Sequence, residues 1–380
     1  MTDKLQRLHT ADNAQKTNSS KEASSAKMTN IAVKAIPLAL YIHIPWCVKK
    51  CPYCDFNSHE LPTDSPLSMS ETYEDYVDAL LADALLQQPL AQGRKLSSIF
   101  IGGGTPSLLP IPQYQRLFEG LRHYFDFADN IEITMEANPG TLEHAPFTEY
   151  LQVGINRLSI GVQSFSADKL TTLGRIHDPQ QAVTAIKAAR EAGFRRVNVD
   201  LMHGLPQQSL VEALHDIQLA HDTGATHISW YQLTIEQNTE FYKRPPRLPS
   251  EDTLADIQDS GAALLAEQGW QQYEISAYSK PAKMAQHNLN YWQFGDYLAL
   301  GAGAHGKITK DSEIFRYWKT RQPEAYLQSE LSRTAGLNTI APADLPFEFI
   351  MNGLRLNQGF SKANYNARTG LEWSTIAETV

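Results

Sequence analysis

Cysteine is scarce in this chain: three residues in 380, all between Cys47 and Cys54. So few thiols, so closely spaced, exclude a disulfide framework and point to a reducing compartment, the cytoplasm. Long apolar runs are missing too. No segment approaches the roughly 20 residues that a membrane-spanning helix needs, so contact with the inner membrane is expected to be peripheral at most. Positive charge is also in deficit. A net charge of −9 excludes a broad nucleic-acid footprint. The opening MTDKLQRLHTADNAQKTNSSKEASSAKMTN has no aromatic residue and no signal-peptide core. It cannot bury enough surface to offset its ordering entropy, so residues 1–36 are expected to form a disordered extension. Met28 is the expected alternative start.

From Leu38 a rhythm begins. Apolar, β-branched segments stand at 38–44, 97–103, 130–137, 156–163, 195–202 and 226–233. Helical patterns lie between them, such as ETYEDYVDALLADALLQQ (71–88) and PQQAVTAIKAAREAG (179–193), the latter with Gly193 where a C-cap belongs. Strand, helix, strand, repeated about six times, predicts a parallel sheet or barrel with outer helices. The strands read as almost continuous apolar runs, as strands covered on both faces do. The expected domains are a (β/α)6 barrel over 37–242 and a smaller α+β region over 243–380. A Pro-rich KRPPRLPS (243–250) joins them, and a helix (252–268) and a strand (271–278) follow.

Sites in such folds sit at the C-terminal ends of the strands, where the unusual residues collect. CVKKCPYC follows the first strand, GGGTPS the second, and EANP and QSF close the third and fourth. Asp200 lies near the end of the fifth, before HGLP.

Cys47, Cys51 and Cys54 give a Cys-x3-Cys-x2-Cys spacing. Three chemistries use such thiols. A structural zinc ion takes four ligands, with His43 or His59 as the fourth. A redox pair would use Cys51 and Cys54 and leave Cys47 idle. A cubane iron–sulfur cluster needs four ligands, so three thiolates leave one iron open for something else.

The spacing, with Tyr53 before the last cysteine, resembles the radical S-adenosylmethionine superfamily. That resemblance implies a partial (β/α)6 barrel and a [4Fe-4S] cluster whose open iron binds S-adenosylmethionine. YIHIPWC, GGGTPS, EANP, GVQSF, LGRIH and DLMHGLP, with an aromatic block after residue 287, cover nearly all of 38–360. Together they resemble the oxygen-independent coproporphyrinogen III oxidase group, and within it the HemW subgroup of haem chaperones. The resemblance implies that Tyr41, Gly103 and Glu136 contact the cofactor on the cluster. It implies that Tyr53, Gly104, Thr105, Gln163, Arg175, Asp200 and Thr234 match positions holding a second S-adenosylmethionine. His305, in GAGAHGK, is expected beside the cluster cofactor.

Two departures bear on activity. The oxidases carry a further cysteine two residues after the third cluster cysteine; here that position is Phe56. This weighs against oxidative decarboxylation of coproporphyrinogen and leaves open whether the chain is an enzyme. The second is HNLNYW (287–292), which matches the HNxxYW signature of the HemW subgroup. It implies haem as a partner, with His287, Asn288, Tyr291 and Trp292 as candidate contacts, and delivery to respiratory-chain haem proteins at the membrane surface. The resembling proteins also carry a segment of about 40 residues beyond FEFIMNGLRL, so the C-terminal region is expected to be incomplete.

Overall fold

The computed structural model describes residues 30–61, 69–140, 146–329 and 332–377. Six parallel strands alternate with helices, as the rhythm predicts. They are β1 (Leu38–Ile44), β2 (Leu96–Gly103), β3 (Phe127–Ala137), β4 (Arg157–Gln163), β5 (Val197–His203) and β6 (His227–Gln232). The connecting helices include α1 (Met69–Ala91), α2 (Ile111–Tyr124), α3 (Pro179–Glu191) and α4 (Leu210–Asp222). Two of these starts are locally encoded. Asp178 with Gln181, and Ser209 with Glu212, form reciprocal capping boxes. Gly193 closes α3 at φ +107°, a conformation only glycine adopts freely.

Downstream come α5 (Glu251–Glu267), β7 (Gln271–Glu274), β8 (Ala277–Ser279), α6 (Gln286–Trp292), β9 (Asp296–Leu300), β10 (His305–Lys310), β11 (Glu313–Lys319), β12 (Thr334–Thr339) and α7 (Leu345–Gly353). The sheet has the order β12-β11-β10-β9-β1-β2-β3-β4-β5-β6-β8-β7. It therefore runs through the boundary expected at 242. β9 adds to β1 in parallel, Leu38 opposite Asp296, and β10 to β12 continue antiparallel from it. The strand expected over 271–278 is a hairpin: β7 and β8 pair antiparallel across Ile275-Ser276, a turn with no glycine to announce it.

The main core is formed by the outward faces of the six strands against the helices, with Leu40, Ile99, Ile133, Leu158, Val199 and Ile228 buried. A second, smaller core joins Ile31 and Ile36 to Phe294, Phe349, Tyr365 and Leu371. Residues 30–36, the described part of the expected extension, thus pack on the C-terminal region; 1–29 lie outside the described residues.

The inner faces of the parallel strands are polar. His227 Nδ1 meets Asn198 Oδ1 at 2.6 Å, and Asn198 Nδ2 donates to Ser159 at 2.7 Å and Asp200 at 2.8 Å. Helix α6 closes one side of this interior. Its His287 ring lies 4.1 Å from the Phe100 ring of β2 and its Asn288 donates to the Tyr273 hydroxyl at 3.0 Å. Among the described residues no helix is long and apolar enough to cross a membrane.

Candidate functional site

The three cysteines lie on the loop after β1, half-buried and unpaired. The Cys54 amide donates to the Cys51 carbonyl at 3.1 Å, folding Cys51 to Cys54 into a tight turn. Each thiol faces a different polar neighbour. Thr105 donates its hydroxyl to Cys47 Sγ at 3.4 Å, Arg175 Nη1 donates to Cys51 Sγ at 3.6 Å, and Ser58 Oγ lies 3.6 Å from Cys54 Sγ. Among the described residues no three His, Cys, Asp or Glu side chains converge as around one ion. In a cubane cluster each thiolate meets a different iron. The donor set fits such a cluster: three soft ligands on one loop, with a hydroxyl or a guanidinium beside each sulfur. Burial pushes the Cys47 thiol up to about 11, against the pull of the Thr105 hydrogen bond, and pushes Cys54 up as well. Loading with iron therefore displaces protons.

The glycine loop after β2 is pressed against the cysteine loop. Gly104 and Thr105 donate their amides to the carbonyls of Ile44 and Trp46, both at 2.7 Å. A Cβ on Gly104 would sit 2.5 Å from the Trp46 carbonyl oxygen, and one on Gly103, at φ +114°, 2.6 Å from the His43 ring. Only glycine allows this approach. The Gly103 amide donates to Glu136 Oε2 at 3.0 Å. Burial, and then the charge of Asp200, push the Glu136 carboxyl up to about 8. Tyr41 stacks on Phe100 at 6.1 Å and bonds His43 Nδ1 at 2.8 Å.

On the other side, Arg175 bridges Cys51 to the barrel, with Nη2 donating to the Gly161 carbonyl at 2.6 Å. Gln163 holds a left-handed φ of +70°, uncommon for a residue with a Cβ. It accepts from the Tyr231 hydroxyl at 3.0 Å. Tyr53 packs on Phe241, 6.3 Å between ring centres. Asp200 stands midway along β5, not at its end, and points into the polar interior toward Ser159, where burial raises its pKa. Thr234 lies exposed just past β6.

A cavity of about 1020 Å³ opens beside the cysteine loop. Tyr41, Gly103 and Glu136 line it, and Phe56, Trp292 and Trp318 are among its aromatic lining residues. Phe56 is 61% exposed, and His305 is exposed in the same wall. The candidate haem residues divide. Tyr291 and Trp292 line the cavity. His287 is buried behind Phe100, with Nδ1 3.4 Å from Glu132 Oε1, and Asn288 is bonded to Tyr273.

Nothing in the residue pattern points to Asn57. Its Nδ2 donates to the carbonyls of Ala302 (3.0 Å) and Arg321 (2.8 Å), and its own carbonyl meets His43 Nε2 at 3.0 Å. Those partners are up to 264 residues away, so no spacing rule finds them.

Residues 41–220 match the model of the radical SAM superfamily, and 340–380 match that of the HemN C-terminal domain. The heme chaperone HemW of Escherichia coli is 53% identical over 340 residues, covering 89% of this chain and 88% of that protein. The heme chaperone HemW of Haemophilus influenzae is 50% identical over 354 residues, covering 91% and 90%. The chain belongs to the HemW family. Its fold is also that of the Escherichia coli coproporphyrinogen III oxidase HemN, a radical SAM enzyme. That structure superposes with a TM-score of 0.75 at 24% identity, covering 88% of this chain and 79% of HemN.

Proposed function

We propose that this chain is a haem chaperone that carries a [4Fe-4S] cluster and S-adenosylmethionine and hands haem to respiratory haem proteins. The observation that carries this reading is the large cavity beside the cysteine loop, lined by aromatic side chains that include the exposed Phe56, two residues after Cys54. Cavities of roughly 300–1,000 Å³ with mostly apolar walls and a few placed polar groups suit an organic ligand. An exposed Phe56 beside Trp292 and Trp318 offers faces for a flat macrocycle.

Cys47, Cys51 and Cys54 would hold the cluster, and Arg175, Thr105 and Ser58 would donate to its sulfurs. When bound, the cluster supplies a low-potential electron and an open iron for the methionyl amino and carboxylate groups. The Gly103 loop and Glu136 would receive the amino end. Tyr41 stacks on Phe100 and fixes the wall beside it. Gln163, Arg175 and Tyr53 bound the opposite side. Phe56 supplies no thiol, so this loop cannot place a fourth sulfur where the oxidases do. Membrane contact would be peripheral, made by the acceptor or by a surface patch.

The test is anaerobic reconstitution of the full chain with iron and sulfide, followed by two assays on one preparation. Stoichiometric uptake of added haem without conversion of coproporphyrinogen III supports the chaperone. Conversion to protoporphyrinogen without haem retention supports the oxidase and sinks the reading.

A further inference from the structure

Two histidines line the cavity, His43 and His305. A third, His287, belongs to the HNLNYW motif and lies behind the wall. An imidazole ligates iron through a ring nitrogen with a free lone pair, so the commitments of each ring decide between them.

His43 has neither nitrogen to spare. Nδ1 bonds the Tyr41 hydroxyl at 2.8 Å and Nε2 the Asn57 carbonyl at 3.0 Å. His287 is buried, packed on Phe100, with Nδ1 turned to Glu132. Glu132 in turn pairs with Arg196 at 2.9 Å and takes the Gln286 amide at 2.8 Å. Glu132 touches the ring through Nδ1 alone and keeps Arg196 in any case; what sets His287 apart is its burial behind Phe100, off the cavity lining. His305 differs from both. It opens β10, its side chain is exposed in the cavity, and neither ring nitrogen has a hydrogen-bond partner among the described residues. Across the antiparallel pair it faces Trp318, rings stacked with centres 6.4 Å apart.

The cations of that wall sort in the same way. Lys307 is bound to Asp296 (3.1 Å), Lys319 to Asp83 (2.6 Å), and Arg316 to Glu348 (2.6 Å) and the Tyr297 hydroxyl (3.1 Å). Arg321 is exposed and uses only Nε, which donates to Asn57 Oδ1 at 3.2 Å. Its two terminal nitrogens have no partner among the described residues. Trp292 lines the same cavity and its indole N–H is buried without a partner.

We propose that His305 is the axial imidazole for haem iron in this cavity and that Arg321 pairs with a haem propionate. The proposal rests on the haem reading above and makes it specific. The neutral imidazole donates a nitrogen lone pair to the iron with no change of oxidation state. Asn57 then holds the assembly in place, because it ties the cysteine loop to Ala302, just before the strand that carries His305, and to Arg321, just after the strand that carries Trp318.

The experiment uses the full chain, reconstituted anaerobically and titrated with ferric haem, read by EPR and by the Soret band. The wild type is expected to show an imidazole-ligated ferric signal. His305→Gly should lose it, and free imidazole added to His305→Gly should restore it. His287→Gln, if folded by circular dichroism, should keep it. Arg321→Ala should weaken haem affinity about tenfold while leaving the ligand signal in place, as expected for one charge-assisted pair. Haem uptake with an unchanged signal in His305→Gly overturns the ligand assignment and leaves the chaperone reading standing. A wild type that takes up no haem overturns both.

Discussion

Asn57 and Arg321 are joined twice: the Asn57 amide donates to the Arg321 carbonyl at 2.8 Å, and Arg321 Nε donates back to Asn57 Oδ1 at 3.2 Å. The pair crosses from the cysteine loop to the residues just after β11. The Asn57 amide also reaches the Ala302 carbonyl, so one half-buried side chain fixes how the loop sits against the cavity wall, while its backbone carbonyl separately meets His43. Asn57→Ala leaves the Ala302 and Arg321 carbonyls without that donor. We expect a loss of about 1–3 kcal/mol in urea unfolding. We also expect iron to pass to a chelator several-fold faster than from the wild type. A variant with unchanged stability and unchanged iron retention would show that the crossing is incidental.

The buried pair Lys319–Asp83, 2.6 Å apart, lies under the far end of the same wall, with the Tyr326 hydroxyl donating to the other carboxylate oxygen at 2.8 Å. Neither side chain is exposed by more than 1%. Removing one partner leaves a buried charge alone. Lys319→Met or Asp83→Leu is therefore expected to cost about 3–5 kcal/mol, and the double replacement much less than the sum. Denaturant unfolding of the three variants checks this; strict additivity would contradict it.

What the sequence made legible, and what it hid, divides by the range of the interactions. The six parallel strands are legible because apolar residues recur at alternate positions under the helices, while the inner face, expected to be apolar as well, carries polar residues such as Asn198 and Asp200. The cysteine loop is legible because its three thiols sit within eight residues, and the glycine loop because close backbone approach demands glycine at Gly103 and Gly104. The β7–β8 hairpin was hidden because Ile275-Ser276 carries no turn signature. The extension of the barrel sheet by β9 to β12 was hidden because the pairing of β1 with β9 joins segments far apart in the chain. The motif offers His287 as a candidate haem contact, and only the fold shows Glu132, 155 residues earlier, beside its ring. Asp200 was placed near a strand end by its distance from HGLP, whereas the strand runs on to His203.

Glu136 gives the fold a pH dependence with a definite sign. Its carboxyl stands near 8 in the folded chain against an ordinary 4.5. Between those values the folded state holds a proton that the unfolded state has lost. The stabilising contribution is complete below about 4.5 and disappears as pH rises through about 8. Glu136→Gln stays neutral throughout. Its stability relative to wild type should be lowest near pH 4.5 and rise steadily to pH 8, as read by urea midpoints at several pH values. A gap that does not change with pH would remove Glu136 as the source. The same variant should bind S-adenosylmethionine more weakly, because an approaching ammonium group would draw the proton off Glu136 and pair with the carboxylate, which an amide cannot become.

Arg175 places its guanidinium between Cys51 Sγ and the Gly161 carbonyl, at 3.6 and 2.6 Å. A positive charge beside a cluster stabilises the added electron of its reduced form. Arg175→Met removes that charge and should shift the cluster potential negative by tens of millivolts, 59 mV being about 1.4 kcal/mol for one electron. Arg175→Lys keeps the charge but has no fork to span both partners, so it should recover part of the potential and little of the loop's rigidity. EPR-monitored redox titration of the reconstituted variants measures the first effect, and hydrogen exchange at the Cys51–Cys54 turn the second. If Arg175→Met left the potential at the wild-type value, the contact with Cys51 would be structural alone, and the guanidinium's part in tuning the cluster would be lost.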